Sequence, residues 1–452
     1  MKVVVVGIDG CSWRVLEPLL EQQRLPHIAS LIEGGTRGDM LNLGQSESPV
    51  IWTTIATGRH PDEHRIFGFT GYYGSRWPLK GRHLPRVGSV PGFLRRVLLK
   101  TGIVCRSSVR SYQRGKKAFW TMASQADRTV GVVNWWVTHP PEPVNGFIVS
   151  DMANYWRLII RSRSGIGSVE REAHLGVRDS VHPPQDPRTV TGWHALDEEE
   201  LLSRARRFAR IEGGDVESFR EQKTFRRRNP LSVLKFCIYQ DCFAINALKH
   251  MLAECEKQPD MTAVYLGGLD GVSHTFWKYA FPEDFGSVEA DGLERYRNTL
   301  FGYYRWVDEV LGDLMELVDR DQTAVLLLSD HGFESAPHKE ATQGISGAHE
   351  NAPDGVFVLS GPGLRAGGRA DARSIDIAPT VLHLLGLPVG RDMPGRVLGE
   401  CLERAGPADQ PVSYVDSWEG REGLAAPQPD RSVGEAADEQ VVDRLKALGY
   451  MD

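Results

Sequence analysis

Short apolar runs recur along the chain and stop at turn or polar residues: KVVVVGI from residue 2, TVGVVNW from 129, MTAVYLGGL from 261, TAVLLLS from 323 and GVFVLSG from 355. Runs of this kind, without polar alternation, predict strands buried on both faces, as in a parallel sheet. Between them the spacing changes. Over residues 289–319, Leu293, Tyr296, Leu300, Tyr304, Val307, Leu311 and Leu314 keep one side of a helix apolar. Strands alternating with helices predict an α/β fold with a mostly parallel central sheet and helices on both faces. Such sheets bind their ligands beyond the carboxyl ends of the strands.

Carboxylates stand at those ends: Asp9 in GIDG, Asp270 in GGLDGVSH, and Asp330 in LLLSDHG, where His331 follows. Each aspartate alone is compatible with a turn or a helix cap. Asp270 and His274 are four apart and share a face if a helix begins there, as an ion pair or as two metal ligands. His349, in GAHENAPDGVF, comes just before another strand. Three carboxylates and three imidazoles converging on one sheet edge read as a metal site by ligand type and number.

Hydroxyls come from GQSESPVIWTTIATGRHPDEH, residues 44–64. Pro49 fits the first position of a helix running to Gly58, which makes Ser48 its N-cap. Thr53 and Thr54 fall inside that helix, where hydroxyls bond back to carbonyls. Free N–H groups at a helix start attract anions, so a Ser48 hydroxyl facing a metal sits where a phosphate would bind.

Composition adds little: 41% hydrophobic, 25% charged and a net charge of −6 over 452 residues fit one large domain with an excursion and name no partner. Six cysteines without CxxC spacing (Cys11, Cys105, Cys237, Cys242, Cys255, Cys401) suit reduced thiols and a cytoplasmic enzyme. No window approaches about 18 uninterrupted apolar residues, and MKVVVVGIDG turns polar too soon for a signal peptide, so the mature chain is expected to begin at Met1.

Charge distribution changes the picture more. From Arg76 to Trp120 there are twelve Lys or Arg and no Asp or Glu. That segment reads either as a solvated insertion or as a cap that gathers an anionic substrate or rests on an anionic membrane surface. Within it, GFLRRVLLKTG has the pattern of a short basic amphipathic helix. A second basic cluster, SRARRFAR at 203–210 and KTFRRR at 223–228, is expected to join the same cap. Trp135 and Trp136, ending a strand, read as core. Residues 403–452 lack apolar periodicity and read as a loosely ordered tail ending in a short helix. Neither repeats nor nucleic-acid motifs stand out, and the sequence leaves the oligomeric state open.

In order, GIDG, SPVIWTTIATGRHPDEH, LDGVSH, SDHG and GAHENAPDG resemble the motif blocks of the alkaline phosphatase superfamily, in its type I phosphodiesterase and nucleotide pyrophosphatase branch. The resemblance spans a catalytic domain over residues 1–402, apart from cap insertions at about 75–115 and 155–235. It implies two divalent metal ions, zinc or manganese: one held by Asp9, Asp330, His331 and the nucleophile Ser48, the other by Asp270, His274 and His349. It also implies hydrolysis of a phosphate ester, of a small molecule or a lipid head group, by double displacement through phosphoserine. Ile51 stands where many nucleotide pyrophosphatases carry Asn, and the cysteine signature of sulfatases is absent around Ser48. A phosphomonoesterase or a phosphoglycerate mutase-like phosphotransferase is the alternative within this fold. A polyanion- or membrane-binding protein with a vestigial site is the alternative of another class.

Overall fold

The computed structural model describes residues 1–44, 47–74, 84, 87, 90–154, 180–194, 196–222, 225–226, 228–351, 353–404, 406 and 410–420. β1 (Lys2–Ile8) lies inside a ten-stranded sheet. It pairs in parallel with β8 (Met261–Leu266) on one side and β9 (Thr323–Leu328) on the other. Beyond β8 come β5 (Val130–Val133) and β6 (Gly146–Val149), both parallel, then β7 (Val181–His182), antiparallel. Beyond β9 lies β12 (Gly355–Ser360), antiparallel to β9 and to β2 (Gly35–Leu41); β13 (Gly368–Arg369) and β14 (Ala372–Arg373) edge β2. Two short hairpins stand apart, β3 (Thr70–Gly74) with β4 (Val104–Ser108) and β10 (Glu334–Ser335) with β11 (Gly347–Ala348).

The five apolar runs thus all form strands, and the α/β class with a mostly parallel sheet is what the molecule has. The run at 355 is the exception in direction, because an apolar pattern reports burial and is blind to polarity of the chain. Alternate residues of β1 feed two cores. Val4, Val6 and Ile8 join one cluster, and Val3 and Val5 the other. Helices α1 (Trp13–Glu21), α2 (Pro26–Glu33), α10 (Pro230–Ala253), α11 (Gly268–Ala280) and α13 (Thr299–Glu316) cover the first. Helices α3 (Ser48–Thr57), α6 (Phe119–Gln125) and α14 (Ile377–Leu384) cover the second.

The helix expected over 289–319 is two, α12 (Ala290–Tyr296) and α13, with Asn298 (φ −98°, ψ −2°) at the N-cap of the second. Apolar spacing records which face is buried, and that face continues across the break. Helix α10, 24 residues, is long and apolar enough to cross a membrane, yet 94% of its most apolar window is buried inside the fold. It is apolar on most of its sides because α7 (Pro187–Trp193), α8 (Glu198–Arg206), α9 (Gly214–Glu221) and α11 pack around it.

Described parts of the two basic excursions sit on different faces. The β3–β4 hairpin carries α5 (Gly92–Lys100), and its flanking Phe69 and Val109 join the second core. Helices α7 to α9 join the first. Arginines of the later excursion are paired: Arg204 with Glu200 (3.0 Å), Arg207 with Glu309 (2.7 Å) and Arg210 with Glu294. In the first excursion Arg114 pairs with Glu142 (2.5 Å) and Lys116 approaches Glu63 (3.9 Å), whereas Arg96 and Lys100 on α5 have no ion pair among the described residues. The early part of the expected tail is anchored, since Trp418 is buried and its Nε1 donates to the Pro388 carbonyl (3.0 Å). Its closing helix lies outside the described residues.

Candidate metal centre and nucleophile

Because β8, β1 and β9 are adjacent and parallel, with Ile8 level with Leu266 and Gly7 level with Leu328, the residues that follow them emerge side by side. Asp9 follows β1 directly, Asp330 and His331 follow β9, and Asp270 lies in the first turn of α11 after β8. Gly10 takes φ +68°, the left-handed region in which glycine is at ease, and so lets the chain turn away at once. Its N–H donates to Asp330 Oδ1 (3.3 Å).

Two donor groups result. Ligand atoms of Asp270, His274 and His349 lie within 4.8 Å of one another, as do those of Asp9, Asp270 and His331. Asp270 therefore stands between the groups. Asp330 joins the second, its Oδ2 3.4 Å from His331 Nε2, which is also 3.3 Å from Asp9 Oδ1. On α11, Asp270 and His274 share a face as their spacing predicted, with His274 Nε2 3.5 Å from Asp270 Oδ1. His349 follows β11 and comes within 4.0 Å of the same oxygen.

Ser48 reaches the second group, with Oγ 3.5 Å from Asp9 Oδ1 and fully buried. It is the first residue of α3 and not the N-cap; that place belongs to Glu47, in extended conformation, whose carbonyl accepts from Val50 N and Ile51 N. Pro49 needs no N–H partner anywhere in the first turn, so the sequence pattern fits either register. The Glu47 carboxylate turns aside to accept from Phe69 N (3.1 Å). Thr53 and Thr54 donate to the carbonyls of Pro49 (2.6 Å) and Val50 (2.9 Å). Helix α3 reaches this place because Gly7 lets the Trp52 ring lie on β1; a Cβ there would sit 2.6 Å from the ring.

Three carboxylates buried together demand compensating positive charge. Burial, and then the charge of Asp9, push Asp330 well above the usual carboxylate range. Burial would also raise Asp9, but His331 and the hydroxyl of Tyr265 hold it below the ordinary value. Burial opposes a charge on His331, yet Asp330 and Asp9 outweigh it and raise the ring to about 10. Burial, with His331 and His274 nearby, lowers His349.

These residues fit divalent metals on their own geometry. Asp330 Oδ2 and His331 Nε2 are buried without a hydrogen-bond partner among the described residues, although oxygens and nitrogen lie close together. Atoms that come this close without a hydrogen bond are aimed at a common point. His274 Nδ1 bonds the Gly347 carbonyl (2.7 Å) and His331 Nδ1 the Gly332 carbonyl (3.1 Å), which turns each Nε2 toward the centre, where a metal would take the place of any proton on it.

Supporting groups escaped the sequence reading. Tyr265 Oη donates to Asp9 Oδ2. Ser329 Oγ accepts from Cys11 N (2.8 Å) and donates to the His331 carbonyl (2.9 Å), joining the loops after β1 and β9. Asp241 accepts from Gly267 N and Gly268 N (both 3.0 Å) and from Tyr303 Oη (2.8 Å), fixing the start of α11 ahead of Asp270. Burial raises Asp241 to about 7. Tyr265 looked like one more apolar strand residue. Asp241 left a signal, a lone carboxylate in CIYQDCFAI.

Known proteins align along most of this arrangement. Residues 3–380 match the type I phosphodiesterase / nucleotide pyrophosphatase family. Among curated proteins, 2,3-bisphosphoglycerate-independent phosphoglycerate mutases are similar over parts of the chain. One from Cereibacter sphaeroides is 39% identical over 97 residues, covering 21% of this chain and 18% of that protein. One from Roseobacter denitrificans is 24% identical over 237 residues, covering 50% and 42%. The chain thus spans less than half the length of either relative. Solved structures with a similar course include a phosphonate monoester hydrolase from Silicibacter pomeroyi (14% identity, 91% of this chain, 78% of that, TM-score 0.45). Another is murine ectonucleotide pyrophosphatase/phosphodiesterase 5 (12% identity, 89% and 100%, TM-score 0.46). With the family pattern matching residues 3–380, the chain belongs to the type I phosphodiesterase/nucleotide pyrophosphatase family of the alkaline phosphatase superfamily.

Proposed function

We propose that this protein is a metal-dependent phosphodiesterase that works through a phosphoserine on Ser48. The observation that carries the proposal is the buried Ser48 Oγ, at the first residue of a helix and 3.5 Å from Asp9 Oδ1 within the Asp/His cluster. Asp9, Asp330, His331 and Ser48 would hold one divalent cation, and Asp270, His274 and His349 a second. When bound, zinc or manganese would supply Lewis-acid charge to the phosphoryl oxygens and to the departing alkoxide. Three imidazole donors favour these metals over calcium.

Ser48 does the bond-making. Its hydroxyl donates toward Asp9 Oδ1, so the proton has an acceptor as Oγ attacks phosphorus and the alcohol leaves. Water then cleaves the Ser48 ester from the face the alcohol vacated, and two in-line displacements retain configuration. The start of α3 contributes positive dipole to the phosphoryl group. Ile51, 1% exposed within the second core, offers that group no polar contact, which supports a diester other than a nucleotide pyrophosphate. Local similarity to phosphoglycerate mutases favours one competing reading, transfer of a phosphoryl group between hydroxyls of one substrate. The cysteine pattern supports a cytoplasmic setting.

Chelation followed by zinc or manganese add-back, assayed on an aryl phosphodiester, tests the proposal. Activity is expected to vanish and return; activity that survives chelation contradicts it. Interconversion of phosphoglycerates at a rate exceeding diester hydrolysis would favour the mutase reading.

A further inference from the structure

Nine large hydrophobic side chains are exposed among the described residues, and six of them fall between residues 67 and 112: Phe67, Phe93, Leu94, Val97, Ile103 and Tyr112. Chance would scatter them. Three lie on α5, which has no buried residue at all; Phe93 is 66%, Leu94 44% and Val97 47% exposed. Phe93 and Val97 are one turn apart with Leu94 beside them, so they form a single ridge. Arg96 and Lys100, both exposed and without an ion pair among the described residues, border the ridge on the Phe93 side. Leu98 and Leu99, half-buried, face the hairpin that carries the helix.

We infer that α5 docks on an anionic lipid bilayer, apolar ridge inserted among the acyl chains and basic side chains at the head groups. The inference rests on the proposed function only for its consequence, that the ester cleaved is presented at a membrane surface. Charge selects the occupant. The stretch from Arg76 to Trp120 holds twelve basic and no acidic residues in a chain of net charge −6. A second copy of the chain, packed symmetrically, would set this ridge against itself and oppose like charges. A nucleic acid matches the charge but gives the aliphatic Leu94 and Val97 nothing to contact. An anionic membrane surface satisfies both, since lysine and arginine reach phosphates while their neighbours insert. The geometry links the ridge to chemistry. Strand β3, at the root of the arm, begins directly after Phe69, whose N–H is held by Glu47, the neighbour of Ser48.

The test is co-sedimentation of the full chain with vesicles of phosphatidylcholine alone and of phosphatidylcholine mixed with phosphatidylserine. Binding is expected only to the mixed vesicles. It should fall by about tenfold or more in Arg96→Glu/Lys100→Glu, and likewise in Phe93→Ser/Val97→Ser. Hydrolysis of a soluble aryl diester should stay within about twofold of wild type in both variants, since neither pair touches the site. This control separates the two proposals: loss of docking with intact turnover leaves the catalytic reading standing. Absence of binding to mixed vesicles, or binding that the variants retain, overturns the inference. Light scattering that shows a dimer abolished by Phe93→Ser/Val97→Ser also overturns it, in favour of a second copy.

Discussion

The imidazole of His331 stacks on that of His349, centroids 3.9 Å and planes 17° apart. One ring follows β9 and the other β11, so this contact braces the two donor groups against each other. His349→Ala should therefore do more than delete a ligand. Metal titrations are expected to show affinity at the Asp270–His274 group down by at least ~100-fold, and affinity at the Asp9–His331 group down by ~10-fold through the lost wall. Two sites affected equally would place the metals differently.

Tyr265→Phe removes one hydroxyl and no packing. Asp9 Oδ2 loses its donor, and the carboxylate is freed to rotate away from Ser48 and His331. Metal affinity is expected to drop ~10-fold, and the chelated protein to lose about 1–3 kcal/mol of stability because a buried carboxylate loses a donor. Unaltered affinity would show that Asp9 is positioned by its backbone alone.

Thr53→Val and Thr54→Val should leave turnover within a few-fold of wild type. Their hydroxyls are spent on carbonyls of the preceding turn. Thr54 also meets His64 Nε2 at 3.0 Å, so its substitution should cost more stability, about 1 kcal/mol, than that of Thr53. Denaturant melts and diester assays on the same preparations check both statements.

His64 links α3 to α4 (Pro61–His64) and carries a pH dependence. Its Nδ1 accepts from Ile66 N (3.1 Å), which places the proton of the neutral ring on Nε2, toward Thr54. Burial lowers this histidine to about 3, whereas an unfolded histidine titrates near 6.5. Below pH 6.5 the unfolded chain takes up a proton that the folded one refuses. Stability contributed here is fully present above pH 6.5 and is lost as pH falls toward 3, by at most about 1.4 kcal/mol per pH unit. Melts of chelated wild type and His64→Gln should converge as pH drops from 7 to 4.5. Parallel curves would mean that His64 protonates in place.

Strands were legible because burial on both faces leaves uninterrupted apolar runs, and three aspartates past their ends pointed to the edge of the sheet where the Asp/His cluster lies. Strand β2, GTRGDML, was not legible; three of its seven residues are only partly buried, and its place is set by pairing with β12, which is non-local. Ser48 lies against Asp9 but one position on from the N-cap place its spacing suggested, because proline is tolerated throughout the first turn. The sharing of Asp270 between groups depends on two loops meeting, and nothing in the spacing between residues 9, 270 and 349 records that. The basic clusters read alike in sequence, yet the fold pairs Arg204, Arg210 and Arg207 with Glu200, Glu294 and Glu309, and Arg114 with Glu142, while Arg96 and Lys100 have no ion pair among the described residues. Pairing with distant acids is a property of the fold.

The most direct measurement is to quench the metal-loaded enzyme in acid during turnover of an aryl phosphodiester and locate the phosphoryl adduct by peptide mass mapping. The adduct is expected on Ser48 alone, and Ser48→Ala should lack it while turnover falls by at least ~10³-fold, since nucleophile and metal ligand go together. An adduct on Thr53, Thr54 or any other residue, or a Ser48→Ala variant that turns over at near wild-type rate, would contradict the assignment of Ser48 as nucleophile.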